Sequence, residues 1–265
     1  MVAYNLQYFG LKSPLVKPNE KLIDVLTKIL DEEKDINLQS GDIIVIASKV
    51  VAMEQNRIID LKTIKPSPKA ESLAQKSALK PEFIEIVLQE SDHVIGAVKG
   101  ALLTLRQGDV EANAGVDKSN AGLGKAILLP DKPDDYALKF KKEIELRLNI
   151  TDIGILIADS TTRPLRIGTT GLAIGSAGFP AIVDIRGQPD LFGYTMSITL
   201  RNIADNLACG ANVLMGESSE SIPFVIIRGL NRLINENHWQ EKAISDLRID
   251  PKNCLYFGNM KYDFI

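Results

Sequence analysis

Cysteine is nearly absent: Cys209 and Cys254 are the only two in 265 residues. That is too few for a disulfide framework or a cysteine zinc site, and it points to a reducing, cytoplasmic setting. Histidine is equally scarce. His93 and His238 stand far apart with no second histidine, cysteine or serine constellation near them, which argues against a histidine triad or a zinc centre. No charge of one sign prevails, because 31 Lys and Arg face 34 Asp and Glu for a net charge of −3. The chain therefore lacks the electrostatic footprint of a protein that binds nucleic acid or anionic lipid. No apolar run approaches the ~20 residues of a membrane span, since Lys49 interrupts the longest, Ile43 to Met53. Met1 to Pro14 has no charged flank, apolar core and cleavage site of a secretory signal. What is present is 45% hydrophobic and 25% charged residues, enough for one large domain or two smaller ones around real cores.

Apolar spacing predicts a helix over Lys21 to Glu33, with Leu22, Val25, Leu26, Ile29 and Leu30 on one face. After Gly41-Asp42, Ile43 to Ala47 reads as a buried strand that Val50-Val51 extends. Helices are predicted from Lys69 to Ser77 and from Pro81 through Leu88, then short strands over Val94 to Leu105 with Gly96 and Gly100 as bulge or turn. Asn113 to Asn120 is polar and reads as a loop. Asp134 to Leu148 reads as a helix with Leu138, Ile144 and Leu148 inward. Ile153 to Ala158 is the most apolar strand and is expected to stop at Asp159-Ser160. A helix over Ile198 to Leu214 ended by Gly216, and a strand over Ile222 to Ile227, complete the pattern. Strands and helices mix without a βαβ repeat, so the class is α+β.

Asp159, at the end of an apolar strand, can hold a hard cation with Ser160 as a second oxygen, or can cap a turn. Asp117 has the same two readings in its loop. Gly168, Gly171, Gly175 and Gly178 can bring backbone amides to a phosphate or serve tight packing, and their spacing is neither a Walker A loop nor a dinucleotide fingerprint. Arg163 and Arg166 offer forks for carboxylate or phosphate, or surface ion pairs. Glu217 and Glu220 can bind metal or purine donors, or lie in a solvated loop. Trp239 is read as packing on a C-terminal helix.

In order and spacing these segments resemble the coenzyme F420:L-glutamate ligase family from about Phe9 to Leu230. The resemblance rests on Gly10-Leu11 with Pro14-Leu15; Gly41-Asp42 through Ser48-Lys49; Asn113-Ala114-Gly115-Val116-Asp117-Lys118-Ser119-Asn120; Asp159-Ser160 through Arg163-Pro164 to Arg166-Ile167-Gly168; Ala173-Ile174-Gly175; Asp190-Leu191-Phe192-Gly193; and Met215-Gly216-Glu217 before Ile222-Pro223. It implies an α+β fold peculiar to the family, with one catalytic domain over 1–230, a tail over 231–265 that matches nothing, and an intertwined homodimer. It also implies GTP as substrate, Mg²⁺ or Mn²⁺ as cofactor, and an amide formed between coenzyme F420-0 and L-glutamate through an acyl phosphate.

By the same resemblance Asp117, Asp159 and Ser160 hold metal, and Arg163 and Arg166 join the two aspartates as catalytic residues. Leu11 to Pro14, Ser48, Lys49, Asn120 and the loop Met215, Gly216, Glu217, Ser218 to Ile222 contact nucleotide. Three positions depart from the family: Met53 replaces a phosphate-contacting lysine, Asn56 a glycine, and Asn206 an acidic residue. They leave open a paralogue that joins another acid and amine, or a nucleotide-binding protein without catalysis.

Overall fold

Apolar runs that alternate between two covered faces build the centre of the molecule. The computed structural model describes residues 5–33, 35–230 and 243–258. In chain order the elements begin β1 (Gln7–Leu11), α1 (Leu22–Glu32), β2 (Ile43–Ala47), α2 (Ser48–Glu54), β3 (Ile58–Asp60), α3 (Pro68–Ser77), α4 (Pro81–Glu90), β4 (His93–Val98), β5 (Ala101–Arg106) and β6 (Asp109–Ala112). They continue with β7 (Lys125–Ile127), α5 (Pro133–Leu148), β8 (Gly154–Thr162), β9 (Thr169–Ala177), β10 (Ile182–Asp184), β11 (Leu200–Asn202), α6 (Ile203–Met215) and β12 (Phe224–Arg228). The mixed α+β class read from the sequence holds.

The main sheet has the order β1-β12-β2-β8-β9. Only β2 and β8 pair in parallel, Ile43 opposite Gly154 through Ala47 opposite Ala158. Side chains alternate across a strand, so Ile44, Ile46, Ile155, Ile157 and Ile226 face α1 and α5. Ile43, Val45, Leu156, Val225 and Ile227 face α6 on the other side. Burial on both faces is why these strands read as unbroken apolar runs. Asp42, 1% exposed, takes a two-pronged ion pair from Arg228 at 2.7 and 2.9 Å and ties the start of β2 to the end of β12.

A second core lies outside that sheet, where α3 and α4 pack on the three-stranded β4-β5-β6 sheet through Phe83, Ile84, Ile86, Val94 and Leu102. A bulge between Val94 and Gly96 and a turn at Gly100, with φ +93°, match the two glycines noted in the sequence.

Several expectations are corrected. Val50 and Val51 belong to α2 and do not extend β2: Val51 and Ala52 are fully buried by the turn of a helix, so packing overrides their β-branched preference. The inward stripe of α5 is Ala137, Phe140 and Ile144, while Leu138 and Leu148 point outward. That stripe sits one position before Leu138. α6 starts at Ile203, because Asn202 caps it by accepting from the Asp205 amide, and Ile198 and Leu200 are exposed ahead of it. Gly171 and Gly175 are packing glycines inside β9. A Cβ on Gly171 would lie 2.3 Å from the Ala208 carbonyl carbon, and one on Gly175 would lie 2.5 Å from that of Pro133. Their absent side chains let α6 and α5 close on the strand. His238 and Trp239 lie outside the described residues.

Candidate active site

β8 does not stop at Asp159 but runs on to Thr162, with a shift in its pairing to β9 between Ile157 and Ala158. Asp159 and Ser160 therefore stand within a strand, re-aimed by an irregularity of the kind that often adjoins active sites. The parallel register places Ala47 beside Ala158, so Ser48, the first residue of α2, comes next to Asp159 of β8. Ser48 Oγ donates to Asp159 Oδ1 at 2.7 Å. Asp117 arrives from the second lobe, its backbone held by reciprocal hydrogen bonds with Ile127. Lys49 Nζ lies 2.6 Å from Asp117 Oδ2 and donates to Ser119 Oγ at 2.8 Å. Asp117, Asp159, Ser160, Ser48 and Lys49 thus line one groove of about 190 Å³.

The two carboxylates are pushed in opposite directions. Burial raises the Asp159 carboxyl above the ordinary range, and the bond from Ser48 only partly offsets it. Burial also opposes ionisation of Asp117, but hydrogen bonds from Lys49 and Ser119 outweigh it and hold that carboxyl low. One site accordingly contains a carboxylate already neutralised by an ammonium and another still in want of a cation.

A second groove of about 280 Å³ is lined by Pro14, Asn120, Met215, Gly216, Glu217, Ser218 and Ile222. Its walls are joined by backbone: the Ser13 amide donates to Ser221 O and the Ala47 amide to Pro223 O, each at 2.9 Å. Asn120 Nδ2 donates to Ser218 O at 3.0 Å and links the loop of Asp117 to the loop after α6. Glu217 accepts from Thr169 Oγ1 at 2.8 Å. Lys49 lines this groove as well as the acidic one.

Other residues singled out in the sequence lie elsewhere. Leu11 packs into the core. Arg166 stays on the exposed turn between β8 and β9 and lines none of these grooves, whereas Arg163 lines a third, larger cavity. Met53 packs against two apolar clusters, so the departure at that position does not line the second groove. Asn56 has φ +56°, a left-handed conformation that asparagine tolerates where glycine is usual. Asn206 is exposed, while Asp205 before it accepts from the Ala173 amide and the Asn202 side chain.

Sequence reading missed Glu111. It is 3% exposed, lines the acidic groove, and has Oε1 buried without a hydrogen bond. Burial, with Asp159 and Asp109 nearby, raises its carboxyl to about 8. The signal was the alternation Asp109-Val110-Glu111 in a short strand, which puts two acids on one side.

Among the described residues no three His, Cys, Asp or Glu side chains are grouped closely enough to hold a metal alone. Asp117, Asp159 and Ser160 nevertheless line one groove with the hard oxygens that suit Mg²⁺, which one or two carboxylates bind together with substrate phosphates and water. The residues fit that group.

The model of the F420-0:gamma-glutamyl ligase family matches residues 10–229. The coenzyme F420:L-glutamate ligase of Methanocaldococcus jannaschii is 40% identical over 227 residues, 85% of this chain and 88% of the relative. That of Methanopyrus kandleri is 35% identical over 241 residues, 91% and 93% of the two chains. That of Archaeoglobus fulgidus is 35% identical over 242 residues, 91% and 94%.

Proposed function

This chain belongs to the F420-0:gamma-glutamyl ligase family, and from that premise we propose that it joins coenzyme F420-0 to L-glutamate at the expense of GTP. The observation that carries the reading is Lys49, which lines both a groove suited to a nucleotide and a groove holding the carboxylates of Glu111, Asp117 and Asp159.

The residues divide the work. Pro14, Asn120 and the loop Met215 to Ile222 hold the base and ribose, and Ser48 and Lys49 reach the phosphates. Asp117, Asp159 and Ser160 would hold Mg²⁺ or Mn²⁺, which when bound supplies neutralisation of charge on the transferring phosphoryl group. Lys49 then exchanges part of its contact with Asp117 for phosphate oxygens, keeping one cation beside them throughout. An oxygen of the acid substrate's carboxylate bonds to the γ-phosphorus as the bond to the GDP oxygen breaks. The glutamate amine attacks the resulting acyl carbon, phosphate leaves, and the amine loses a proton to water. Activation is required because a free carboxylate is a poor acyl donor.

The assembly we propose is a homodimer. Leu165, Ile167, Leu191, Phe192 and Ile198 are each at least 85% exposed, all on the β8–β9 turn and the segment before β11. Large apolar side chains left this exposed on two loops are what a partner subunit would cover.

GDP release tests the reading. It should require F420-0, L-glutamate, GTP and a divalent cation together. Release that is indifferent to F420-0 but responds to another acid would assign a different substrate, and nucleotide binding without release would remove the ligase activity.

A further inference from the structure

A third cavity belongs to neither groove. It encloses about 400 Å³ between β6, the start of α6 and residues 244–257, within the ~300–1,000 Å³ typical of small-molecule sites. Most of its lining is apolar, including Leu105, Val110, Leu172, Leu247 and Phe257. Its outer wall is fixed in place. Asp134, at the start of α5, accepts from the amides of Ser176, Ile244 and Ser245 at 2.9, 3.0 and 3.1 Å. Arg248 reaches Asp109 at 2.7 Å on the opposite side.

The cavity adjoins the acidic groove along two strands. Thr162 lines the groove and Arg163, the next residue, lines the cavity. Glu111 lines the groove, and Asp109, two residues earlier on β6, lines the cavity. In the β8–β9 register, Leu172 of the cavity stands opposite Asp159 of the groove. The acids in the lining are already engaged, Asp109 with Arg248 and Asp205 with Ala173 and Asn202. Among the described residues Arg163 has no ion pair or side-chain hydrogen bond, which leaves a cation for the anionic part of a ligand.

Phosphoryl transfer fixes what such a neighbour must hold. Attacking and leaving oxygens lie roughly in line across the phosphorus, so the acid has to approach from the side away from GDP. Lys49 lines both the nucleotide groove and the acidic groove, whereas the cavity adjoins the acidic groove through Thr162-Arg163 and β6, on other elements. We propose that this cavity is the compartment for the acid substrate. It takes the flat fused-ring body between apolar walls, while Arg163 faces the anionic end that extends to the groove. The proposal rests on the ligase reading and adds the place and chemistry of acid recognition.

Cys254 lines the cavity, whereas Cys209 does not and donates its thiol to Gly171 O. The full chain is therefore labelled with N-ethylmaleimide, with and without F420-0, and each cysteine is followed by peptide mass. F420-0 should slow Cys254 labelling about tenfold and leave Cys209 unchanged. Val110→Trp, which fills the cavity, and Arg163→Gln, on the surface turn, should each weaken F420-0 binding by about tenfold or more, with GTP affinity retained as evidence that the variants fold. F420-0 that binds both variants as it binds the wild type, with Cys254 unprotected, overturns the compartment and leaves the ligase reading intact. F420-0 that does not bind the wild type at all overturns the ligase reading, and the compartment with it.

Discussion

Lys49 and Asp117 form a 2.6 Å ion pair across the line between the main sheet and the second lobe. Lys49 follows β2, and Asp117 is pinned to β7. The pair therefore fixes how the two halves of the acidic groove face each other, and it supplies the cation that both grooves share. Lys49→Met should raise the Asp117 carboxyl in the nucleotide-free protein, because the ammonium that holds it low is gone, and weaken GTP binding by about tenfold or more. Asp117 is held low, so the stability that its ionisation contributes is present above its unfolded value and is lost as pH falls through the folded one. In the variant that loss should begin at higher pH. Carboxyl titration by NMR and calorimetry of GTP binding read both effects, and an unmoved titration would contradict the assigned role of Lys49.

Asp159→Asn keeps the shape of the side chain and can still accept from Ser48, while removing the charge that a divalent cation needs. Metal-supported GDP release should fall by at least about a hundredfold, with the thermal midpoint retained or raised because a buried charge is removed. Turnover equal to wild type would return Asp159 to a structural role.

Glu111 makes a pH-dependent prediction. Its folded carboxyl is raised to about 8 from an ordinary 4.5, so the folded chain binds the extra proton between those values. Stability is then lost as pH rises across that window, by about 1.4 kcal/mol per unit. Glu111→Gln removes the cost, and its advantage over wild type should grow from pH 5 to about 8. Denaturant midpoints of both proteins at several pH values decide this, and parallel profiles would show that Glu111 is not the titrating group.

The exposed apolar residues near Phe192 predict self-association. Light scattering at micromolar concentration should give twice the chain mass, and Phe192→Asp with Ile167→Asp should shift it toward monomer while leaving the main sheet folded. A wild-type monomer would remove the dimer.

Much of the fold was legible because the main sheet buries strands on both faces, and continuous β-branched runs such as Ile43 to Ala47 announce that. Local breakers were equally readable: Gly100 turns a hairpin and Gly216 ends α6 with φ +67°. What the sequence hid depends on contacts distant in the chain. Val51 is helical because of what buries it, and Gly171 is a glycine because of Ala208. The site followed the same division. Asp117, Asp159 and Lys49 were named from loops and strand ends, and they do share a groove. Glu111 was passed over because acids in a short strand look solvated until the neighbouring lobe covers them. Arg163 and Arg166 looked equivalent in sequence, but only Arg163 lies where β8 leaves the groove for the cavity.

In the proposed reaction one cleft activates an acid with GTP and transfers it to an amine. Incubation with F420-0, GTP, Mn²⁺ and L-glutamate, followed by the mass of the product and a count of GDP, tests it directly. The expected product is F420-0 heavier by glutamyl residues, with one GDP formed for each amide. GDP formed with no gain in mass, or a glutamylated product formed without GTP, would contradict it.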